Sequence, residues 1–464
     1  CLARAGARQH QHRAIKRLNG GALLRIKPVE ITRAVRQRRG ACGEAPFLRG
    51  VIVEFGHLRL LMIPCRTYRR ARRESRETPL LRRVVNGRVL SEFAAESFQS
   101  MEPGDMRQKF FIFCILASFL AVFNVFEAAA CSRVTWLGPQ GAVITGRSMD
   151  WPYSFGSTFY LIPRGVPQNG AGGKNSVEWV SKYGVVEIAG ALNPGGPING
   201  VFDGVNEKGL VANLLYLAET DFGPAPGDNK PRLSFAAWTE YVLTNFATVQ
   251  EVVDYFSANP VYIVPVSFGP GGAAHASIHM AVSDASGDSA IIEYLKGVPV
   301  IHHGREHQVM TNSPIYSEQL VLNAYWRRLN RDQVLPGSIQ SQDRFVRASY
   351  YLEKLPQTRD MRQAVAGVFS VMRNVSVPWG EPDRDHPNLS PTYWRTGVDQ
   401  KNLVYYFDSA LSPNIVWTNL TKLDFSPGSG VRSLLLEGDN VISGNVNAAF
   451  KPAKPVTFLG PSSK

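Results

Sequence analysis

Residues 131–464 read as an α+β fold. Strand-like segments gather early and late in this stretch, amphipathic helical segments fill its middle, and no repeat of the kind that builds a wound parallel sheet is present. At 334 residues the stretch is long for one domain and ample for a large core.

The elements follow in order. Ser132 to Leu137 is short and β-rich, Gly138-Pro139-Gln140-Gly141 is a turn, and Ala142 to Ser148 returns as a second strand. Folding about that turn brings Arg147 and Ser148 beside Cys131 and Ser132, with Asp150 and Trp151 just past the paired region. Strands are expected at 177–189 and at 198–217, the latter folded around Asn206-Glu207-Lys208-Gly209. A Pro/Gly-rich loop at 223–231 leads into an amphipathic helix from Leu233 to Asn245, and Thr248-Val249-Gln250-Glu251 is a capping box opening a second helix. Ser277 to Leu295 reads as a hairpin turning at Asp284-Ala285-Ser286-Gly287. Helices are expected at 315–329, 343–355 and 360–373, and late strands at 391–398, 402–408 and 414–424.

The first 105 residues belong to a different statistical world. They hold 22 Lys+Arg, 20 of them Arg, against 9 Asp+Glu, a net of +13 that equals the net charge of the whole chain. Residues 106–464 carry 29 charges of each sign. A basic pI usually points to nucleic acid or anionic membrane, but here it resides in the extension alone. That extension has no helical or strand period and starts at Cys1 rather than Met. It reads as upstream translation or a mis-set start, with a nucleic-acid-binding arm as the lesser reading. No nucleic-acid partner is expected for the rest.

A leader follows. Arg107 and Lys109 precede an apolar run from Phe110 to Phe126, and Ala128-Ala129-Ala130 supplies a small-residue cleavage site, with Met106 as a natural start. The run is short for a membrane span, and Asn124 and Glu127 weaken it further, so a signal peptide is expected rather than an anchor. Cleavage after Ala130 would deliver the protein to the periplasm or outside the cell. It would also remove Cys1, Cys42, Cys65 and Cys114, leaving Cys131 as the first residue and the one cysteine. That thiol could form no internal disulfide, so it is incidental, modified or used.

A thiol is a weak nucleophile until its proton is removed. An α-amine, with an unperturbed pKa of about 7.7–8.0, suits the task of base. An N-terminal cysteine therefore combines both. The competing reading is an exported lipoprotein or binding module, with Cys131 acylated as a lipid anchor; Ala128 stands where such a signal would have leucine. Arg147 and Asp150 form the next pair. An acid can orient a terminal ammonium, and an arginine favours thiolate. Alone, R-x-x-D is usually a surface ion pair; the hairpin delivers this one to Cys131.

Five motifs occur in order: Cys131-Ser-Arg, Gly146-Arg147-Ser148-Met149-Asp150-Trp151, Asp203-Gly-Val-Asn206-Glu207-Lys208-Gly209-Leu210, Thr311-Asn312-Ser313-Pro314 and Asp343-Arg344-Phe345-Val346-Arg347-Ala348. Together they resemble the choloylglycine hydrolase and penicillin V acylase family of N-terminal-nucleophile cysteine amidases, over most of 131–424. The resemblance implies a four-layer αββα sandwich. It implies Cys131 as nucleophile and its own amine as base, flanked by Arg147 and by Asp150, which holds the amine. Asn312 would give its side-chain amide to an oxyanion hole, Tyr216 a backbone N–H, and Arg344 would stabilise the thiolate. Met149, Trp151 and Tyr153 would line the acyl pocket. Read without the resemblance, Asn312 is a pre-proline turn residue, Arg344 a surface residue at a helix start, and the three pocket residues core packing.

The implied activity is hydrolysis of a linear amide C–N bond in a small molecule, an apolar acyl group joined to a small polar amine: conjugated bile salts, penicillin V or N-acyl homoserine lactones. The family has Asn at the Tyr216 position in many bile salt hydrolases and Tyr in penicillin V acylases, which tilts the expectation to the second type. The resemblance also implies a homotetramer. No cofactor is expected. His302, His303 and His307, or His275 and His279, invite a metal reading, but neither group has a carboxylate or cysteine partner at known spacing, and no metal is expected.

Overall fold

The computed structural model describes residues 131–464 apart from 228, 273–276, 330–333, 381–389, 439–440 and 462–464, together with a short antiparallel pairing of Glu54–Phe55 with Leu58–Arg59. The leader, the remainder of the extension and His275 lie outside the described residues.

Two large sheets and two helical groups dominate residues 131–464. In chain order the strands of the two sheets are β1 (Ser132–Leu137), β2 (Val143–Asp150), β3 (Thr158–Ile162), β4 (Val185–Gly190), β5 (Gly200–Asn206), β6 (Val211–Tyr216), β7 (Ile278–Ser283), β8 (Ser289–Leu295), β9 (Val298–His303), β10 (Val309–Met310), β11 (Thr392–Asp399), β12 (Val404–Ser409), β13 (Ile415–Asn419), β14 (Arg432–Leu435), β15 (Gly444–Asn445) and β16 (Lys451–Pro452). The first sheet runs β10-β1-β2-β11-β12-β13-β15 and the second β9-β8-β7-β6-β5-β4-β3-β14-β16. The helices are α1 (Phe235–Asn245), α2 (Val249–Ser257), α3 (Tyr316–Arg328), α4 (Ser341–Lys354) and α5 (Met361–Val375).

Helices α4 and α5 lie on the first sheet and α1 on the second. Glycine makes the close approach of α5 workable. Gly146 and Gly397 pair across β2 and β11, and a Cβ at Gly146 would fall 2.6 Å from Val368 Cγ1, while one at Gly397 would meet the Phe369 ring at 3.0 Å. On the other side, a Cβ at Gly204 would meet Leu243 of α1 at 2.6 Å. The order of layers is helix, sheet, sheet, helix, the αββα sandwich expected.

Local signals hold at the element ends. Ser234 caps α1 by accepting from Ala236 N–H at 3.2 Å, and Asp360 caps α5 through the N–H groups of Arg362 and Gln363. The Thr248 box is half regular. Its hydroxyl accepts from Glu251 N–H at 3.2 Å, but the Glu251 carboxylate reaches Ala247 N–H rather than that of Thr248. The expected strand at 177–189 is broken: Glu178–Val180 pairs with Pro167–Asn169 in a separate small sheet, and the chain enters the second sheet at Val185.

The seam between the sheets is polar as well as apolar. Thr145 meets Thr135 and Ser283 at 2.9 Å and Gln400 at 2.8 Å, and Gln400 donates to the Gly209 carbonyl at 2.9 Å. Asp203 of the second sheet accepts from Thr396 and Tyr405 of the first. Buried polar groups satisfied in this way tie one register of the sandwich in place.

Candidate active site

The first hairpin sets the site. Its register pairs Ser132 with Ser148 and Arg133 with Arg147, so the residues at the mouth of β1 and the end of β2 meet. Asp150 is still within β2, where its neighbour is Thr392 of β11 rather than β1. Cys131 is 2% exposed.

Arg147 reaches from β2 toward the second sheet. Its Nη2 lies 3.9 Å from Cys131 Sγ, 3.5 Å from Met149 Sδ and 2.9 Å from the Leu214 carbonyl. Its Nε stands 3.9 Å from Asp203 Oδ2, and its guanidinium lies 4.6 Å from the centre of the Trp394 ring. Burial pushes the Cys131 thiol up; Arg147 is the strongest influence in the other direction.

Asp150 accepts from Thr392 Oγ1 at 2.6 Å through Oδ1, while its buried Oδ2 has no hydrogen-bond partner. Burial raises its pKa to about 6, against the pull of Arg344, Thr392 and Arg147. An unpartnered buried carboxylate oxygen calls for a cation or a proton.

Asn312 is the hub. Its Oδ1 accepts from Cys131 N–H at 2.7 Å and from Arg344 Nη2 at 2.7 Å, and its Nδ2 donates to the Tyr216 carbonyl at 2.7 Å. Exchanging the amide's O and N would oppose donor to donor twice, so these partners fix its orientation. Its main-chain N–H donates to Ser341 Oγ at 2.8 Å, and Gln319 Nε2 donates to its carbonyl at 3.0 Å.

Arg344, in the first turns of α4, is directed at backbone and side-chain oxygens rather than at sulfur. Nη1 donates to the Cys131 carbonyl and to Ser132 Oγ, both at 2.6 Å, and Nε to the Ile339 carbonyl at 2.9 Å. The bland reading of a surface arginine is excluded, since it is 1% exposed.

Tyr216 ends β6. The next residue, Leu217, donates to Ser277 on the β7 side, so by strand alternation Tyr216 turns its N–H and carbonyl to the other edge. Pairing with β5 covers Val211 to Asn213. Beyond it, the Leu214 and Tyr216 carbonyls are taken by Arg147 and Asn312. The Asn312 side-chain amide thus bridges the Cys131 N–H and the end of β6 at Tyr216.

The apolar wall is aromatic. Met149, Trp151, Phe155, Tyr216, Phe235 and Phe268 line a cavity with Cys131 and Arg147, leaving about 40 Å³ of free space. Trp151 stacks on Phe268 with ring centres 5.8 Å apart. Tyr153 stands one ring further out, edge-on to Trp151 at 6.1 Å, with its hydroxyl on the Leu192 carbonyl at 3.4 Å.

Sequence reasoning brought Cys131, Arg147, Asp150, Met149, Trp151, Tyr216, Asn312 and Arg344 to one place, and they are together. It missed Asp203, which holds Arg147; Thr392, which holds Asp150; and Phe155, Phe235 and Phe268 of the pocket. Asp203 lay inside a motif, but no local pattern tells what it faces. Among the described residues no three His, Cys, Asp or Glu side chains converge as around a metal, and no helix is long and apolar enough to cross a membrane. His302 and His307 instead flank the Tyr316 ring.

Comparison with known proteins shows the family and the fold. The model of the linear amide C–N hydrolases, choloylglycine hydrolase family, matches residues 131–433. A penicillin V acylase of Pectobacterium atrosepticum is 41% identical over 365 residues, covering 75% of this chain and 96% of that protein. A bile salt hydrolase/transferase of Bifidobacterium longum is 24% identical, covering 61% and 93%. The solved penicillin V acylase of Agrobacterium tumefaciens superposes with a TM-score of 0.65 at 46% identity, over 71% of this chain and all of that one. A conjugated bile acid hydrolase variant of Clostridium perfringens, 19% identical, shares the fold with a TM-score of 0.57, over 68% of this chain and 99% of that one.

Proposed function

The chain belongs to the choloylglycine hydrolase family of linear amide C–N hydrolases, and from that premise we propose that it is an exported penicillin V-type acylase whose nucleophile is Cys131, freed as the N-terminus by cleavage after Ala130. The observation that carries this reading is the meeting of three groups at one residue. Cys131 N lies 2.7 Å from Asn312 Oδ1, its Sγ 3.9 Å from Arg147, and the Asp150 carboxyl beside it keeps a buried oxygen without a partner.

Cleavage would turn the Cys131 amide into an amine. As an ammonium it would supply the charge that Asp150 Oδ2 lacks; as a neutral amine it would take the thiol proton. The thiolate, favoured by Arg147, attacks the amide carbon. The resulting oxyanion is met by Asn312 Nδ2–H and Tyr216 N–H, donors of a kind worth about 2.7–4 kcal/mol each. The amine proton passes to the departing nitrogen, and water then hydrolyses the thioester. Arg344, gripping the Cys131 carbonyl and Asn312 Oδ1, holds nucleophile and oxyanion donor in one frame.

The pocket supports an aromatic or alkyl acyl group. Its walls offer a ring stack and few polar partners, whereas a hydroxylated steroid would need several. An acyl ring enters by parting Trp151 from Phe268. The Pectobacterium acylase alignment reaches into the segment read as a leader. Its 75% share is about 348 of 464 residues, against the 334 from Cys131 onward, so the likeness extends upstream of Cys131. A lipid anchor fits poorly, because a thioether on a sulfur buried under Arg147 leaves no route for acyl chains.

The test is turnover of penicillin V, glycocholate and an N-acyl homoserine lactone by protein whose intact mass begins at Cys131 with a free amine. Cys131→Ala should abolish product from every substrate, and penicillin V or the lactone should exceed glycocholate. A diacylglyceryl mass, or unchanged turnover by Cys131→Ala, would overturn the reading.

A further inference from the structure

His279 and Glu293 form a buried pair away from the reacting atoms, and their geometry points to a task. His279 sits on β7 opposite Leu215, the neighbour of Tyr216. Its Nε2 lies 2.9 Å from the Thr311 carbonyl and its Nδ1 3.1 Å from Glu293 Oε1, with both side chains 1% exposed. Glu293 in turn accepts Tyr316 N–H, at 3.0 Å to Oε1 and 3.2 Å to Oε2. Tyr316 is the first residue of α3, whose own preceding residue Ile315 gives no side-chain cap. Glu293 therefore caps this helix from another element, and an N-terminus favours the ionised carboxylate.

The imidazole meets an acceptor at each nitrogen. A carbonyl accepts only, so Nε2 carries the hydrogen that Thr311 takes, and Nδ1 is turned to Glu293. The peptide it holds is the one between Thr311 and Asn312. Its oxygen is fixed by His279, and its N–H by Ser341 Oγ at 2.8 Å. Both ends of the plane from which the Asn312 side chain projects are thus pinned, one from β7 and one from α4.

We propose that His279, oriented by Glu293, is a positioning residue of the oxyanion hole: it sets the Thr311–Asn312 peptide so that Asn312 Nδ2 and Tyr216 N–H point at one spot. Neither His279 nor Glu293 touches substrate. The inference rests on the amidase reading of Cys131 and Asn312. Its physical basis is that oxyanion donors act only when held in place, and displacement of the order of 1 Å can cost about a hundredfold in rate.

The test separates oxyanion stabilisation from nucleophile formation. Alkylation of Cys131 by iodoacetamide is a displacement at carbon and needs no oxyanion hole; amide hydrolysis needs it in both acylation and deacylation. In the mature enzyme, His279→Leu should lower kcat for penicillin V by about 10–100-fold with KM changed less than about threefold, and leave the alkylation rate of Cys131 within about twofold. His279→Gln, which keeps a donor for Thr311, should recover part of kcat. Should His279→Leu fail to fold, Glu293→Gln serves: it keeps one acceptor oxygen but replaces the other with an NH₂ donor, loosening the hold on His279, and should lower kcat several-fold with the same intact alkylation. Unchanged kcat in a folded variant would overturn the inference, as would loss of alkylation in step with turnover. If instead Cys131→Ala keeps wild-type turnover, the amidase reading fails first, and the two failures are told apart.

Discussion

At the scale of single residues, the proposed chemistry turns on charge placement around a buried thiol. Burial raises the Cys131 pKa and Arg147 offers the largest opposing effect, from Nη2 at 3.9 Å. Arg147→Gln should therefore move the pH dependence of iodoacetamide alkylation upward by about 1–3 pH units; an unmoved profile would remove Arg147 from thiolate stabilisation. Asp203 lies under the same guanidinium, and burial pushes its own carboxyl up while Arg147 opposes this most strongly. Removing that partner leaves a buried cation uncompensated. Asp203→Asn should cost about 3–5 kcal/mol of stability, read from urea denaturation at neutral pH. The sequence made the Arg147–Asp150 pair legible because a hairpin turn is a local code. Asn312 and Arg344 were legible as motifs but not as geometry. Thr392 was not legible at all: it stands 242 residues from the Asp150 that it holds, and Thr-Tyr-Trp reads only as strand.

Between elements, packing of helix on sheet carries two further consequences. Glu187 on β4 and Glu240 on α1 are fully buried, and their four carboxyl oxygens have no other hydrogen-bond partner. Two such groups persist by keeping at least one proton between them. Burial raises both, Glu240 to about 7 and Glu187 well above the usual carboxylate range. Folded pKa values above the unfolded one, about 4.3, mean that the native state binds the extra protons. Stability should then fall as pH rises from about 4.3 through 7, by about 1.4 kcal/mol per pH unit for each proton that the native state retains. Glu187→Gln should flatten this decline in melting temperatures measured between pH 5 and 8; a decline of equal slope would count against the pair. The helices themselves were legible to within two residues, as 315–329 against Tyr316–Arg328 and 360–373 against Met361–Val375, because their apolar period and caps are local. Among the strands that escaped notice, two show the physical reason. Thr158–Ile162 is buried almost throughout and so does not alternate, and Val298–His303 contains Pro299 at a sheet edge.

For the whole molecule, the sandwich organises its site around a residue that in the full chain is still an internal one. The hairpin, the polar seam through Asp203 and Thr145, and the grip of Arg344 on the Cys131 carbonyl are all present with the Ala130–Cys131 bond intact. On the proposed reading architecture precedes activation: cleavage would add a base, not a shape. An amide nitrogen has its lone pair delocalised into the carbonyl and cannot accept the thiol proton, whereas an amine can. Two proteins separate these contributions. One spans residues 106–464 with Ala130→Pro, which resists leader cleavage; the other begins at Cys131. Both should unfold cooperatively with similar midpoints in denaturant, since the sheets, helices and seam are common to them. Only the second should release product from penicillin V, with the uncut chain at less than about a hundredth of its kcat, a loss within the range expected when a general base is missing. Equal turnover by an uncut chain whose mass still includes the leader would mean that the base lies elsewhere, and Asp150, with its pKa raised to about 6 and one oxygen unpartnered, would be the first residue to test in that role.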